Sequence, residues 1–185
     1  MAVFRLGTIE AVPAGERPDL LGPSVSAFVA AHGLGDAIGA FAIDPAISET
    51  AATQEAFGLD PATLVNCVVV AGRREGDERV AACLVPSTKR ADVNGVVRKR
   101  LDVRKASFLP QDDAVARSGM EYGGITPIGL PAEWPILVDA DVVPLPLVLI
   151  GSGIRGSKLL VPGAVLAGLP GAEVIEGLGR AVATP

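Results

Sequence analysis

The sequence predicts an α+β fold, a mixed and mostly antiparallel sheet with helices along its flanks. Three observations lead there. Two apolar strands, Val65 to Ala71 and Arg79 to Val85, bracket a polar loop and read as a hairpin. Short helical stretches open at capping residues and close at glycines. Strands and helices do not alternate in the regular order that a parallel, doubly wound sheet requires.

Taken in order, residues 1–22 read as a loosely structured lead-in, broken by Pro13, Gly15, Pro18 and Gly22. Ser24 to Ala31 is an apolar helix stopped by Gly33. Ala37 to Ile43 is a strand. Ser48 can cap a helix that runs to Phe57, with Gly58 as its end. Asp60-Pro61 opens a short helical turn, since proline suits the first helical position. In the hairpin, Gly72 to Glu78 forms the loop. If that loop is symmetric about Glu75, Cys67 and Cys83 become cross-strand neighbours. Two buried, reduced thiols are the reading for them. Asp92 caps a helix to about Leu101, 106–109 is extended, and Gln111 to Ser118 is a helix closed by Gly119. Ile136 to Val138, Leu147 to Ile150, Lys158 to Val161 and Glu173 to Ile175 are short strands, with a helix from Pro162 to Leu169.

The chain has 185 residues, sized for a single domain over 1–185. Hydrophobic residues make up 49%, charged residues 20% and aromatics 4%, a globular rather than a disordered composition. Apolar runs such as Val142 to Ile150 contain prolines and are far short of a bilayer span, and the opening residues lack the order of a signal peptide. The chain therefore reads as cytoplasmic, with no membrane partner. Its net charge of −5 argues against a protein that coats DNA. A local cluster, Arg98, Lys99, Arg100, Arg104 and Lys105, is either a site for docking one end of an RNA or a solvated helix face with its following turn.

Conventional catalytic residues are scarce. His32 is the one histidine, so a nucleophile–histidine arrangement or a zinc site would have to use it, and its place near a helix end fits neither. No carboxylates form a sequence-close pair. Gly123-Gly124-Ile125-Thr126-Pro127-Ile128-Gly129 stands out instead. Glycines reach positive φ and allow close approach, and proline fixes the chain, so a rigid turn with outward N–H groups results. Such groups bind a carbonyl oxygen or an anion without a reactive side chain. A second glycine loop, Gly151-Ser152-Gly153-Ile154-Arg155-Gly156, fits the dinucleotide pattern. The residues after it, Ser157 to Pro162, are extended rather than helical, so it reads as a second wall of a cleft, with nucleotide binding as a lesser alternative. Asp139, at a strand end, is a candidate to position a loop or bind substrate.

The order of a strand near Val65–Val70, the Gly-Gly-Ile-Thr-Pro-Ile-Gly loop, Pro135-Ile136-Leu137-Val138-Asp139 and Gly151-Ser152-Gly153 resembles the YbaK/EbsC family. That family is related to the editing domain inserted in bacterial prolyl-tRNA synthetases. The resemblance covers roughly 44–178 and implies a partly barrel-like sheet and an aminoacyl-tRNA deacylase, a trans-editing hydrolase without metal or cofactor. Its implied partners are the acceptor end of aminoacyl-tRNA and a synthetase. It assigns the catalytic role to Gly123, Gly124, Ile125, Thr126 and Pro127, the family's G-x-x-x-P motif, with the tRNA's terminal ribose hydroxyl helping to activate water. With the second loop as the facing wall, the substrate is expected between Gly123–Pro127 and Gly151, Ser152 and Gly153. The family's usual lysine in the first strand is replaced here by Asn66, which keeps hydrogen bonding but loses the charge. Asn66 stays a catalytic candidate, and Lys158, beside the second loop, is the candidate to return a cation. Without such a cation, the alternative is a non-catalytic member that binds tRNA or another partner.

Overall fold

Residues 3–182 are described by a computed structural model. Its strands form two five-stranded sheets and one two-stranded ribbon. The first sheet is antiparallel throughout, in the order β1 (Phe4–Leu6), β2 (Ile9–Pro13), β3 (Gly39–Ala42), β10 (Ser157–Val161), β9 (Val148–Gly151). The second runs β11 (Ala172–Ile175), β8 (Ile136–Asp139), β5 (Asp77–Pro86), β4 (Val65–Arg74), β7 (Ala106–Phe108). Here β8 lies parallel to both β5 and β11, and the other pairs are antiparallel. The ribbon joins β6 (Lys89–Ala91) to β12 (Gly179–Ala181). A parallel bridge between Leu64 and Leu149 links the two large sheets. They curl into a half-barrel, and the α+β fold, mixed and mostly antiparallel, is the one the sequence predicts.

Alternation along the strands sorts side chains between layers. Leu84, Ile136 and Val138 of the second sheet meet Ala40, Ile150, Leu159 and Val161 of the first, with Val25 and Val29 of helix α1 (Pro23–Ala31). The opposite face of the first sheet packs Phe41, Leu149 and Leu160 beside Phe57, the last residue of α2 (Thr50–Phe57). The outer face of the second sheet is covered by the helical segment 93–101, whose last turn is α3 (Arg98–Leu101), through Val93, Val97 and Leu101 against Val70, Ala81 and Cys83. Each such fully buried aliphatic side chain contributes about 1.5–3 kcal/mol. Helices α4 (Gln111–Ser118) and α5 (Gly163–Ala167) fall where the sequence puts them, and Gly119 closes α4 at φ +68°. Among the described residues no helix is long and apolar enough to cross a membrane.

Two expectations are corrected. The lead-in over 1–22, whose residues 1 and 2 lie outside the described part, is structured: β1 and β2 form a hairpin that extends the first sheet. The central hairpin has a shorter loop than expected. Strand β4 continues to Arg74 and β5 starts at Asp77, leaving only Glu75 and Gly76, both at positive φ (+54° and +95°), as the tight turn that matches strand twist. Cys67 therefore pairs with Leu84 and Cys83 with Val68, which sends the two thiols to opposite faces. Both are free, and burial pushes the Cys83 thiol up to about 12.

Candidate functional site

The half-barrel is open along one edge of β4. On that edge β9 meets the strand at Leu64, and β7 pairs with it only from Val70 to Gly72. The residues between, Val65 to Val68, border a cleft of about 420 Å³, whose other walls include Ser48, Thr50, Tyr122, Gly123, Ile125, Gly151 and Lys158. That volume lies in the range of small-molecule sites.

The two glycine loops meet here. The Gly153 N–H donates to the Gly124 carbonyl at 2.7 Å, and the Glu121 N–H donates to the Gly153 carbonyl at 2.9 Å. A side chain on Gly151 would collide with the carbonyl oxygens of Gly124 and Ile125, and one on Gly124 would lie 2.7 Å from the Ile154 backbone. The glycines at 124 and 151 thus allow one backbone to cross directly over another. Gly123, at φ +80°, turns the chain so that the Gly123 and Ile125 N–H groups donate to no protein acceptor among the described residues.

Lys158 stands opposite Gly151 in the β9–β10 pairing. It is only 5% exposed. Its ammonium donates to the carbonyls of Ser48 (2.6 Å) and Gly123 (2.9 Å). Burial, with Arg155 as a second cause, pushes its pKa down to about 8. The lysine leaves one N–H beyond the two that it uses. Arg155 braces the same loop, donating from Nη1 to the Tyr122 carbonyl at 3.1 Å and from its backbone N–H to Glu121 Oε2 at 2.7 Å. Asn66 Oδ1 accepts from Thr50 Oγ1 at 2.7 Å, which assigns the amide donors to the other side of the group.

Asn66, Gly123, Ile125, Gly151 and Lys158 therefore share one cleft, and the other sequence candidates do not line it. Gly124 and Gly153 hold the two loops together. Thr126 and Pro127 lie buried behind the loop, the Thr126 N–H facing Met120 Sδ at 3.4 Å. The Ser152 hydroxyl is buried against Ser157 Oγ at 2.7 Å. Asp139 is remote: its carboxylate accepts from Lys89 Nζ (2.9 Å), the Asp141 N–H (3.0 Å) and the Gly179 N–H (2.7 Å). These contacts are of the loop-positioning kind, and Asp139 does not line the cleft.

Sequence reasoning missed Thr50, Tyr122 and the cleft role of Ser48. Ser48 was expected to cap α2. Instead Glu49 occupies the cap position with no side-chain bond, and Ser48 is 1% exposed with its hydroxyl unpartnered. The serine before a helical stretch carried a cap signal that hid its place in the cleft wall.

The profile of the aminoacyl-tRNA editing domain family matches residues 44–169, and the chain belongs to that family. Among solved structures it is similar to a candidate trans-editing enzyme for prolyl tRNA synthetase, at 19% identity and TM-score 0.71, covering 84% of this chain and 97% of that one. It is also similar to hypothetical protein APE2540, at 20% identity and TM-score 0.73, covering 85% and 99%. At these identities the likeness bears on the fold. It agrees with the partly barrel-like sheet that the family resemblance implies.

Proposed function

We propose that the protein is a trans-editing deacylase that hydrolyses the ester between a wrongly attached amino acid and tRNA. The observation that carries this reading is the meeting, in one cleft, of the unpaired Gly123 and Ile125 amides with the Lys158 ammonium. Water adds to the ester carbonyl, and the developing oxyanion is received by the two amides. The C–O bond to the terminal ribose then breaks, the ribose oxygen takes a proton, and the amino acid leaves as its carboxylate. The neighbouring ribose hydroxyl helps to activate the water, so no protein nucleophile is needed. Each well-aimed oxyanion donor is worth about 100- to 1000-fold in rate.

Physical selection explains the need. A synthetase pocket gains only about 1–3 kcal/mol from one methylene, so a second hydrolytic site removes what slips through. The Asn66 amide contacts the ribose or the α-amino group, and Lys158 supplies the cation that Asn66 cannot. One observation favours a second reading, in which the protein binds tRNA without hydrolysis: Asn66 stands where the resembling family has lysine.

The test is release of amino acid from a panel of mischarged tRNAs by the purified chain alone. Hydrolysis of at least one ester is expected. Retained tRNA binding without hydrolysis of any ester would favour the binding-only reading, and neither activity would overturn both.

A further inference from the structure

Aromatic residues are scarce in this chain, and their placement is uneven. Trp134 is buried, and so is Phe41, while Phe4, Phe28 and Phe57 are half-buried. Among the described residues two aromatic side chains are exposed, Tyr122 at 46% and Phe108 at 57%. Of the two, only Tyr122 lines the cleft, while Phe108 lies further along the same β4 edge. Phe108 pairs with Val70 on the β4 edge where the cleft closes, and so it shares a sheet face with Asn66. Asn66 and Val70 lie four positions apart along the strand, roughly 13 Å.

Behind Phe108 the chain leads into positive charge. Lys105 and Arg104 immediately precede β7 and are exposed, as is Lys99 on the neighbouring helical turn. None of the three has an acidic partner among the described residues. Arg74, Arg98, Lys99 and Arg104 border one concavity on this side of the molecule. Its two acids are Glu75 and Asp102, and Asp102 is engaged by Arg74 and Arg79. In a chain of net charge −5, this is a concentrated basic strip that begins at an exposed ring on the strand edge that leads to the cleft.

We infer that β7 and the segment before it form a track for the single-stranded 3′ end of an RNA. A base near the terminus stacks on Phe108, and the phosphates on its 5′ side lie against Lys105, Arg104 and Lys99. A single strand is the occupant because an exposed ring can stack only on a base freed from its own stack, and bases inside a duplex are not free. The inference rests on the proposed deacylation only for the direction of the strand, with its 3′ end at the cleft.

The probe is an uncharged hairpin RNA with a short single-stranded 3′ tail, compared with the same hairpin ending blunt. Tighter binding of the tailed RNA is expected. Phe108→Ala should weaken it about tenfold, with Phe108→Leu close to Ala because the aliphatic side chain keeps the apolar bulk but loses the stacking face. Because Phe108 and both basic side chains are exposed, these variants should fold. The double change Arg104→Ala/Lys105→Ala should reduce the salt slope of log affinity by about 1.4, from roughly 0.7 per phosphate contact on a single strand. Equal binding of tailed and blunt RNA, or tailed-RNA binding unaffected by Phe108→Ala, would overturn the track. So would the absence of RNA binding. Tail-dependent binding that responds to these variants, in a protein that hydrolyses no mischarged tRNA, would sustain the track and remove the deacylase.

Discussion

At the residue scale, Lys158 unites the site. Its ammonium ties the Ser48 carbonyl, at the turn before α2, to the Gly123 carbonyl of the glycine loop, and so holds that loop in the cleft wall. Lys158→Ala removes a cation and two charge-assisted bonds, each worth about 1.5–3 kcal/mol, so deacylation should fall about 10- to 100-fold. An unchanged rate on every mischarged tRNA would dismiss the lysine from the reaction. The group also makes a paired pH prediction. Its folded pKa is lowered from 10.5 to about 8, so between those values the unfolded chain binds the proton and the folded chain does not. The group's contribution to stability therefore rises as pH increases from about 8 toward 10.5. Activity that needs the ammonium should fall across the start of the same window. Rate and denaturation measured from pH 7 to 10 should show opposite trends in wild type, and the lysine-dependent part of each should vanish in Lys158→Ala.

At the element scale, local signals decided the helices, and pairing decided the strands. Asp92 is a case where the sequence was sufficient. Its carboxylate accepts from the Gly95 and Val96 N–H groups and starts the helical segment 93–101, which covers the outer face of the second sheet. Asp92→Ala should cost about 1 kcal/mol, read as a lowered denaturation midpoint with an unchanged slope. Exchange of the Gly95 and Val96 amides should accelerate most. The hairpin turn shows the opposite case. Glu-Gly is a weaker turn signal than Asn-Gly or Asp-Gly, so a polar stretch read as a seven-residue loop when only two residues turn. The cost of that error was the register: the two cysteines moved from facing each other to opposite faces of the sheet.

At the scale of the whole molecule, Asp139 ties distant parts of the chain. It is fully buried at the end of β8 and binds Lys89 at the start of β6 and Gly179 at the start of β12. Asp139→Ala should therefore destabilise the fold by about 3 kcal/mol, a drop in Tm of about 6–12 °C. Below the transition the folded variant should still deacylate. Loss of deacylation with an unchanged Tm would return Asp139 to the substrate. The first sheet tells a similar story of distance. Its order brings β1 and β2 beside β3, and pairs β3 with β10, more than a hundred residues later in the chain.

The sequence by itself determined the fold class, most helices with their stops, the central hairpin and the two glycine loops. These are written in short-range chemistry: caps, glycines at positive φ, prolines and alternating apolar residues. It also pointed to Lys158 as a cation near the second loop. Tertiary structure alone decided what faces the cleft. Gly123, Ile125, Asn66, Gly151 and Lys158 line it, whereas Ser152 turned inward to Ser157 and Asp139 went to a remote support. Which side of a loop meets a ligand depends on the strand pairing and on the close crossing of Gly124 over Gly151, contacts between residues far apart in sequence. No local pattern carries the direction in which such a crossing turns a side chain.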